Sequence, residues 1–119
     1  MGKHNEFGRL GEQIAADFLV ENGYELCARN YRYLNAEVDI IAKKDGVLSI
    51  VEVKSRNSGF VEDISDAINK KKIKLLIQAA DHFVIENDLD VEVRFDVITV
   101  IKKQGKLTVE HLENAFYHF

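Results

Sequence analysis

The chain contains no proline and no tryptophan, and only one cysteine and one methionine in 119 residues. A lone Cys27 cannot build an internal disulfide framework, which fits a reducing compartment. Cys27 sits in a strand-like stretch and is expected to pack as a small apolar residue rather than to react. No apolar run approaches the roughly 20 residues needed to cross a bilayer, so no membrane partner is expected. The opening Met1-Gly2-Lys3-His4-Asn5-Glu6 lacks the hydrophobic stretch of a secretory signal, and Phe7 stands where a myristoylation site carries Ser or Thr. These absences predict a cytoplasmic protein. There is no phosphate-cradling glycine loop of the P-loop or dinucleotide type. His4, His82, His111 and His118 lack zinc-ligand spacing and are expected at the surface or in the tail.

Positive charge is also short: the formal net charge is −4. That argues against a generally sticky nucleic-acid binder. The charge is unevenly spread, however. Lys70, Lys71, Lys72 and Lys74 form a dense basic run, whereas Asp81 to Glu92 is acidic.

What remains is an ordinary globular composition, 46% apolar and 30% charged, of a length that supports one core. Residues 1–119 are read as a single domain. Phe7, Leu10, Ile14, Phe18 and Leu19 fall at helical spacing, and Asn22-Gly23 supplies a stop. Tyr24–Tyr33 reads as a strand, Val38–Lys43 and Val47–Lys54 as a hairpin, and Ser55–Glu62 as a loop. A helix is predicted over Ile64–Asn87, with Ile64, Ile68, Leu75, Leu76, Ala79, Ala80 and Phe83 towards the core. Strands at Val91–Lys102 and Lys106–Glu110 follow. The order α-β-β-β-α-β-β makes a compact mixed α/β or α+β domain.

The hairpin carries the strongest chemical signal. Asp45-Gly46 between two apolar runs marks a two-residue turn. Counting outwards pairs Lys44 with Val47, Ala42 with Ser49 and Ile40 with Val51, and then sets Asp39 opposite Glu52 and Glu37 opposite Lys54. Residues two apart on a strand share a face, so all four charged groups would project from one side. Directly opposed like charges are destabilising, and a compensating cation is then called for. That is the makeup of a metal-dependent phosphodiesterase site. A structural ion pair from Lys54 to Glu37 or Glu52 is the alternative, and spacing alone leaves both open.

Glu12 lies on the first helix among Gly8, Gly11, Ala15 and Ala16, a small-residue face that would permit close approach to the sheet. From the helix alone, an acid favoured near the N-terminus by the dipole is the simpler explanation. The Lys70–Lys74 run reads as a solvated helix face, yet Lys70, Lys71 and Lys74 share one side and could meet phosphates together with Arg56. Arg29 and Arg32 add positive charge, interleaved with Tyr31 and Tyr33, which are expected to pack. Asp96 reads as a buried strand acid that pairs with Arg94 or a hairpin lysine.

Asp39 followed by Glu52-Val53-Lys54 resembles the signature of the PD-(D/E)XK nuclease superfamily. Gly8-Arg9-Leu10-Gly11-Glu12, Ala15-Ala16, Gly23-Tyr24, Arg29-Asn30-Tyr31-Arg32, Glu37-Val38-Asp39 and Val51-Glu52-Val53-Lys54-Ser55-Arg56 resemble the YraN-like bacterial family. Ala79-Ala80, Arg94-Phe95-Asp96-Val97-Ile98 and Asn114-Ala115-Phe116 continue the likeness in order. Ala36 departs from the glycine usual before Glu-x-Asp, and Ile73 from a frequent Lys-Gln pair.

The resemblance implies a restriction-endonuclease-like core similar to archaeal Holliday-junction resolvases, a mixed five-stranded sheet flanked by helices. It implies Asp39, Glu52 and Lys54 as the catalytic set, and Asp39, Glu52 and Glu12 as ligands of Mg²⁺ or Mn²⁺, with the Val53 carbonyl. Glu37 would support them from behind, and Arg56, Lys70, Lys71, Lys72, Lys74, Arg29 and Arg32 would hold DNA. The implied activity is endonucleolytic cleavage of structured or branched DNA, and the alternative is a binding module that keeps the fold without cutting. A resolvase needs two active sites, which would suit a homodimer.

Overall fold

The structure is a computed structural model and describes residues 5–57 and 70–115. Its elements are α1 (Asn5–Glu21), β1 (Glu25–Tyr33), β2 (Ala36–Lys44), β3 (Val47–Asn57), α2 (Lys70–Glu86), β4 (Glu92–Lys103) and β5 (Lys106–Leu112). The strands form one five-stranded sheet in the order β1-β2-β3-β4-β5. Only β3 and β4 run parallel, and the other three neighbouring pairs are antiparallel. This is the expected α+β architecture. A parallel pair needs a crossover, and α2 lies within it.

Among the described residues, one helix packs on each face of the sheet. Ala15, Ala16 and Leu19 of α1 pack with Ile40, Ala42, Val51, Ile98 and Val100. Leu76, Ala79, Ala80 and Phe83 of α2 pack with Val38, Ile41, Leu48, Ile50 and Phe95. Adjacent strand residues such as Ile40 and Ile41, or Ile50 and Val51, therefore serve opposite cores, as the period of two demands.

On α1 the buried face takes in Leu19 of the bulky stripe but is otherwise made of small residues. Leu10 is 48% exposed, and Phe7, Ile14 and Phe18 are half-buried, while Gly11, Ala15 and Ala16 are buried. Small residues let the helix axis approach the strands. A Cβ on Gly11 would stand 2.0 Å from Ser55 Oγ and 3.3 Å from Ser55 Cβ. The helix ends as expected: Gly23 adopts φ 91°, with Gly23 N–H donating to Val20 O and Tyr24 N–H to Leu19 O, a Schellman closure.

The Asp45-Gly46 turn has φ 51° and 78°, the two positive values a type I′ turn requires. Lys44↔Val47, Ala42↔Ser49 and Ile40↔Val51 pair as counted. Two expectations need correction. Ser55, Arg56 and Asn57 are strand rather than loop, because Val100, Ile101 and Lys102 of β4 continue the ladder beside them. The predicted helix start, with Ile64 and Ile68, lies outside the described residues.

Candidate active site

The β2–β3 ladder does not reach the charged residues. It stops at Ile40↔Val51, although β2 stays paired with β1 to Ala36 and β3 with β4 to Asn57. The sheet thus opens into a fork, and Asp39 occupies its base. Asp39 does not face Glu52 as a ladder partner. Its Oδ2 instead accepts the Val53 backbone N–H at 2.7 Å, replacing the carbonyl that a continued ladder would have supplied.

The backbone of β2 changes at the same point. Val38 packs on the α2 side and Ile40, two residues on, on the α1 side, so alternation breaks across Asp39. In the β1–β2 register Asn30 falls opposite Asp39, between the Arg29↔Ile40 and Tyr31↔Val38 pairs. Asn30 has φ 53°, a left-handed conformation that asparagine tolerates better than most residues.

Asp39 is half-buried, and its carboxyl is pushed up from 3.8 to about 7. Burial is the main cause, and the nearby charges of Glu52 and Glu12 add to it. The Val53 N–H and the Lys72 ammonium oppose the rise. Glu12 is also raised, first by burial and then by Glu37 and Glu52, with Arg29 acting against them. The small-residue approach of α1 therefore brings Glu12 into the electrostatic reach of Asp39 and Glu52.

Glu52 is better compensated. Its Oε2 lies 3.1 Å from Lys54 Nζ and 2.6 Å from Lys72 Nζ. The pairing of Lys54 is with Glu52 and not across to Glu37. Glu37 is exposed and meets Arg32 at 3.6 Å. Of the basic run, Lys70, Lys71 and Lys74 are exposed, and Lys72 is the member that reaches the carboxylates. Helical spacing had grouped the other three. Arg29 donates to Gln13 Oε1 at 3.0 Å, and Arg56 to the Ser55 carbonyl at 2.8 Å.

Tyr31 and Tyr33 pack, as expected: Tyr31 meets Phe83 edge-on and Tyr33 stacks on His82. Cys27 is half-buried, and burial pushes its thiol up. Asp96 pairs with Arg94 at 3.0 Å, but it also contacts His111 Nε2 at 2.9 Å. His111 is therefore no surface residue. A histidine fifteen positions away on the next strand carries no local sequence signal for that contact.

Among the described residues, no group of three or more His, Cys, Asp or Glu side chains is gathered closely enough to hold a metal ion. The donors at the fork are carboxylate oxygens, the type a hard cation takes, and burial, aided by acidic neighbours, raises the carboxyls of Asp39 and Glu12. Among the described residues, no helix is long and apolar enough to cross a membrane.

The fork, its acid pair and the Glu-x-Lys strand sit within an α+β domain built on one five-stranded mixed sheet. The chain belongs to the uncharacterised protein family UPF0102, which it matches over residues 11–100. That span includes Glu12, Asp39, Glu52, Lys54 and Lys72. A UPF0102 protein of Flavobacterium psychrophilum is 44% identical over 119 residues, all of both chains. Another from Christiangramia forsetii is also 44% identical over the full length of both. One from Parabacteroides distasonis is 41% identical over 117 residues, 98% of this chain and 97% of its own.

Proposed function

We propose that this protein is a Mg²⁺- or Mn²⁺-dependent endonuclease that hydrolyses phosphodiester bonds in structured or branched DNA. The observation that carries the reading is Asp39 at the fork. A carboxyl raised to about 7 by burial and by two acidic neighbours is an electrostatic cost that a bound cation would relieve. Structural acids are instead matched to partners that lower their pKa.

Asp39 and Glu52 would hold the ion through oxygen, with Glu12 nearby. A bound divalent ion supplies Lewis acidity towards a phosphodiester and lowers the pKa of water. The Val53 N–H fixes the orientation of Asp39. Lys54, 21% exposed on its side chain, would set its ammonium against the negative charge that grows on the attacked phosphate. The exposed Lys70, Lys71 and Lys74 would contact backbone phosphates, which position a duplex without reading its sequence.

A second reading has its own observation. Glu52 is already neutralised by two lysines at 3.1 and 2.6 Å, which suits a module that binds nucleic acid without cutting. A labelled panel of four-way junctions, flaps, duplex and single strands, with Mg²⁺, Mn²⁺ or EDTA, separates the two. The nuclease predicts metal-dependent cutting that Asp39→Asn and Lys54→Ala both abolish. Salt-dependent binding without cutting, unchanged in both variants, refutes it in favour of the module.

A further inference from the structure

Glu52 carries two lysines, and the shorter contact comes from α2 rather than from its own strand. Lys72 Nζ is 2.6 Å from Glu52 Oε2, and Lys54 Nζ is 3.1 Å from the same oxygen. The Lys72 charge also acts on Asp39, where it opposes the rise caused by burial and Glu52. One ammonium thus serves both acids that the proposed metal would need.

The two lysines stand on different elements. The Lys54 side chain is 21% exposed and the Lys72 side chain 33%. Lys54 sits two residues from Glu52 on a strand held by β4 through Lys54↔Thr99. Lys72 reaches across from a helix on a flexible four-carbon stem.

We propose that Lys72 is a tethered placeholder cation, one that neutralises Glu52 in the metal-free protein and that a divalent ion displaces from Oε2 on binding. This rests on the endonuclease reading and adds a determinant of metal affinity to it. Displacement means the ion must compete with a charged hydrogen bond at 2.6 Å. The free protein then binds metal more weakly than its acids alone would.

The test is a Mn²⁺ titration of the full chain at pH 8, following free Mn²⁺ by electron paramagnetic resonance. Lys72→Gln is expected to bind about tenfold more tightly, the effect of removing one competing charged hydrogen bond. Lys72→Met, which keeps the apolar stem, gives the same tightening. Lys72→Arg keeps a competing cation and stays within about twofold of wild type. Lys106→Gln, which removes the same charge from an exposed site on β5, also stays within about twofold. In EDTA, Lys72→Gln melts below wild type, and Mn²⁺ raises its melting temperature by more. If wild type binds Mn²⁺ and neither neutral variant binds it more tightly, the placeholder is overturned while the nuclease reading stands. If wild type and both neutral variants all fail to bind, both fall.

Discussion

Asp39→Asn removes a charge and keeps the shape of the side chain, so it measures what the fold tolerates for the sake of the site. The asparagine Oδ1 can still accept the Val53 N–H, now 2.7 Å from Asp39 Oδ2. The native carboxyl is raised to about 7 from 3.8. Between those values the folded protein keeps a proton that the unfolded chain has lost. Wild-type stability therefore falls as pH rises from about 4 through about 7, and above that the full penalty applies. Three units at 1.36 kcal/mol each put the penalty on the order of 4 kcal/mol at pH 8 without metal. Allowing for relaxation around the charge, Asp39→Asn should gain about 2–4 kcal/mol there, roughly 10 °C in melting temperature. At pH 4 the gain should shrink below about 1 kcal/mol. Urea unfolding in EDTA, followed by far-UV circular dichroism because the chain has no tryptophan, measures this at both pH values. Asp39→Ala leaves the Val53 N–H without its acceptor and should fall about 1–3 kcal/mol below Asp39→Asn. A wild type at least as stable as Asp39→Asn in EDTA at pH 8 would refute the reasoning. The stabilised variant should also lose Mn²⁺ binding, the trade expected where strain serves a site.

Two other perturbations test how the site is held. Gly11→Ala places a Cβ 2.0 Å from Ser55 Oγ, so the hydroxyl must rotate away. The gain of about 1 kcal/mol in helix propensity is then offset by crowding of about 1–3 kcal/mol. Ser55→Ala should recover stability in the double variant, as a denaturant double-mutant cycle would show. Asp96→Ala leaves Arg94, whose side chain is 18% exposed, without its main counter-charge and should cost about 3–5 kcal/mol by urea unfolding. Burial acts to raise the Asp96 carboxyl, but the His111 and Arg94 hydrogen bonds outweigh it and hold it low. The contribution of Asp96 is then present above the ordinary carboxylate pKa and lost as pH falls through its depressed value, an acid-limb loss that Asp96→Asn should lack.

The hairpin was legible because its turn is local: Asp-Gly suits two positive φ values, and a two-residue loop leaves one register. The count failed beyond Ile40↔Val51, since it assumes that backbone pairs with backbone. Here the Asp39 side chain takes the Val53 N–H, and no residue period encodes that exchange. On α1 the hydrophobic stripe pointed to Leu10 as well as Leu19, but close approach to β3 demands small residues, and Gly11, Ala15 and Ala16 share the buried face with Leu19. On α2, spacing grouped Lys70, Lys71 and Lys74, whereas contact with Glu52 depends on how the helix sits over the fork. The reach of Lys72 is a tertiary fact.

Asp39 and Asp96 show why the acids themselves could not be ranked from their types. Both lie in strands among apolar residues, and both accept a backbone N–H, from Val53 and from Asn114. Asp96 is fully buried, yet Arg94 and His111 complete its hydrogen bonds, and Arg94 goes on to Tyr24 and Ser49. A buried charge so matched is held ionised and fastens β5 to the sheet. Asp39 is less buried but has Glu52 and Glu12 for neighbours, and its pKa moves the other way. Depth of burial would have chosen Asp96 as the unusual acid. The balance of partner charges chooses Asp39, because an acid left short of positive charge is the one with affinity to spare for a cation brought from solution.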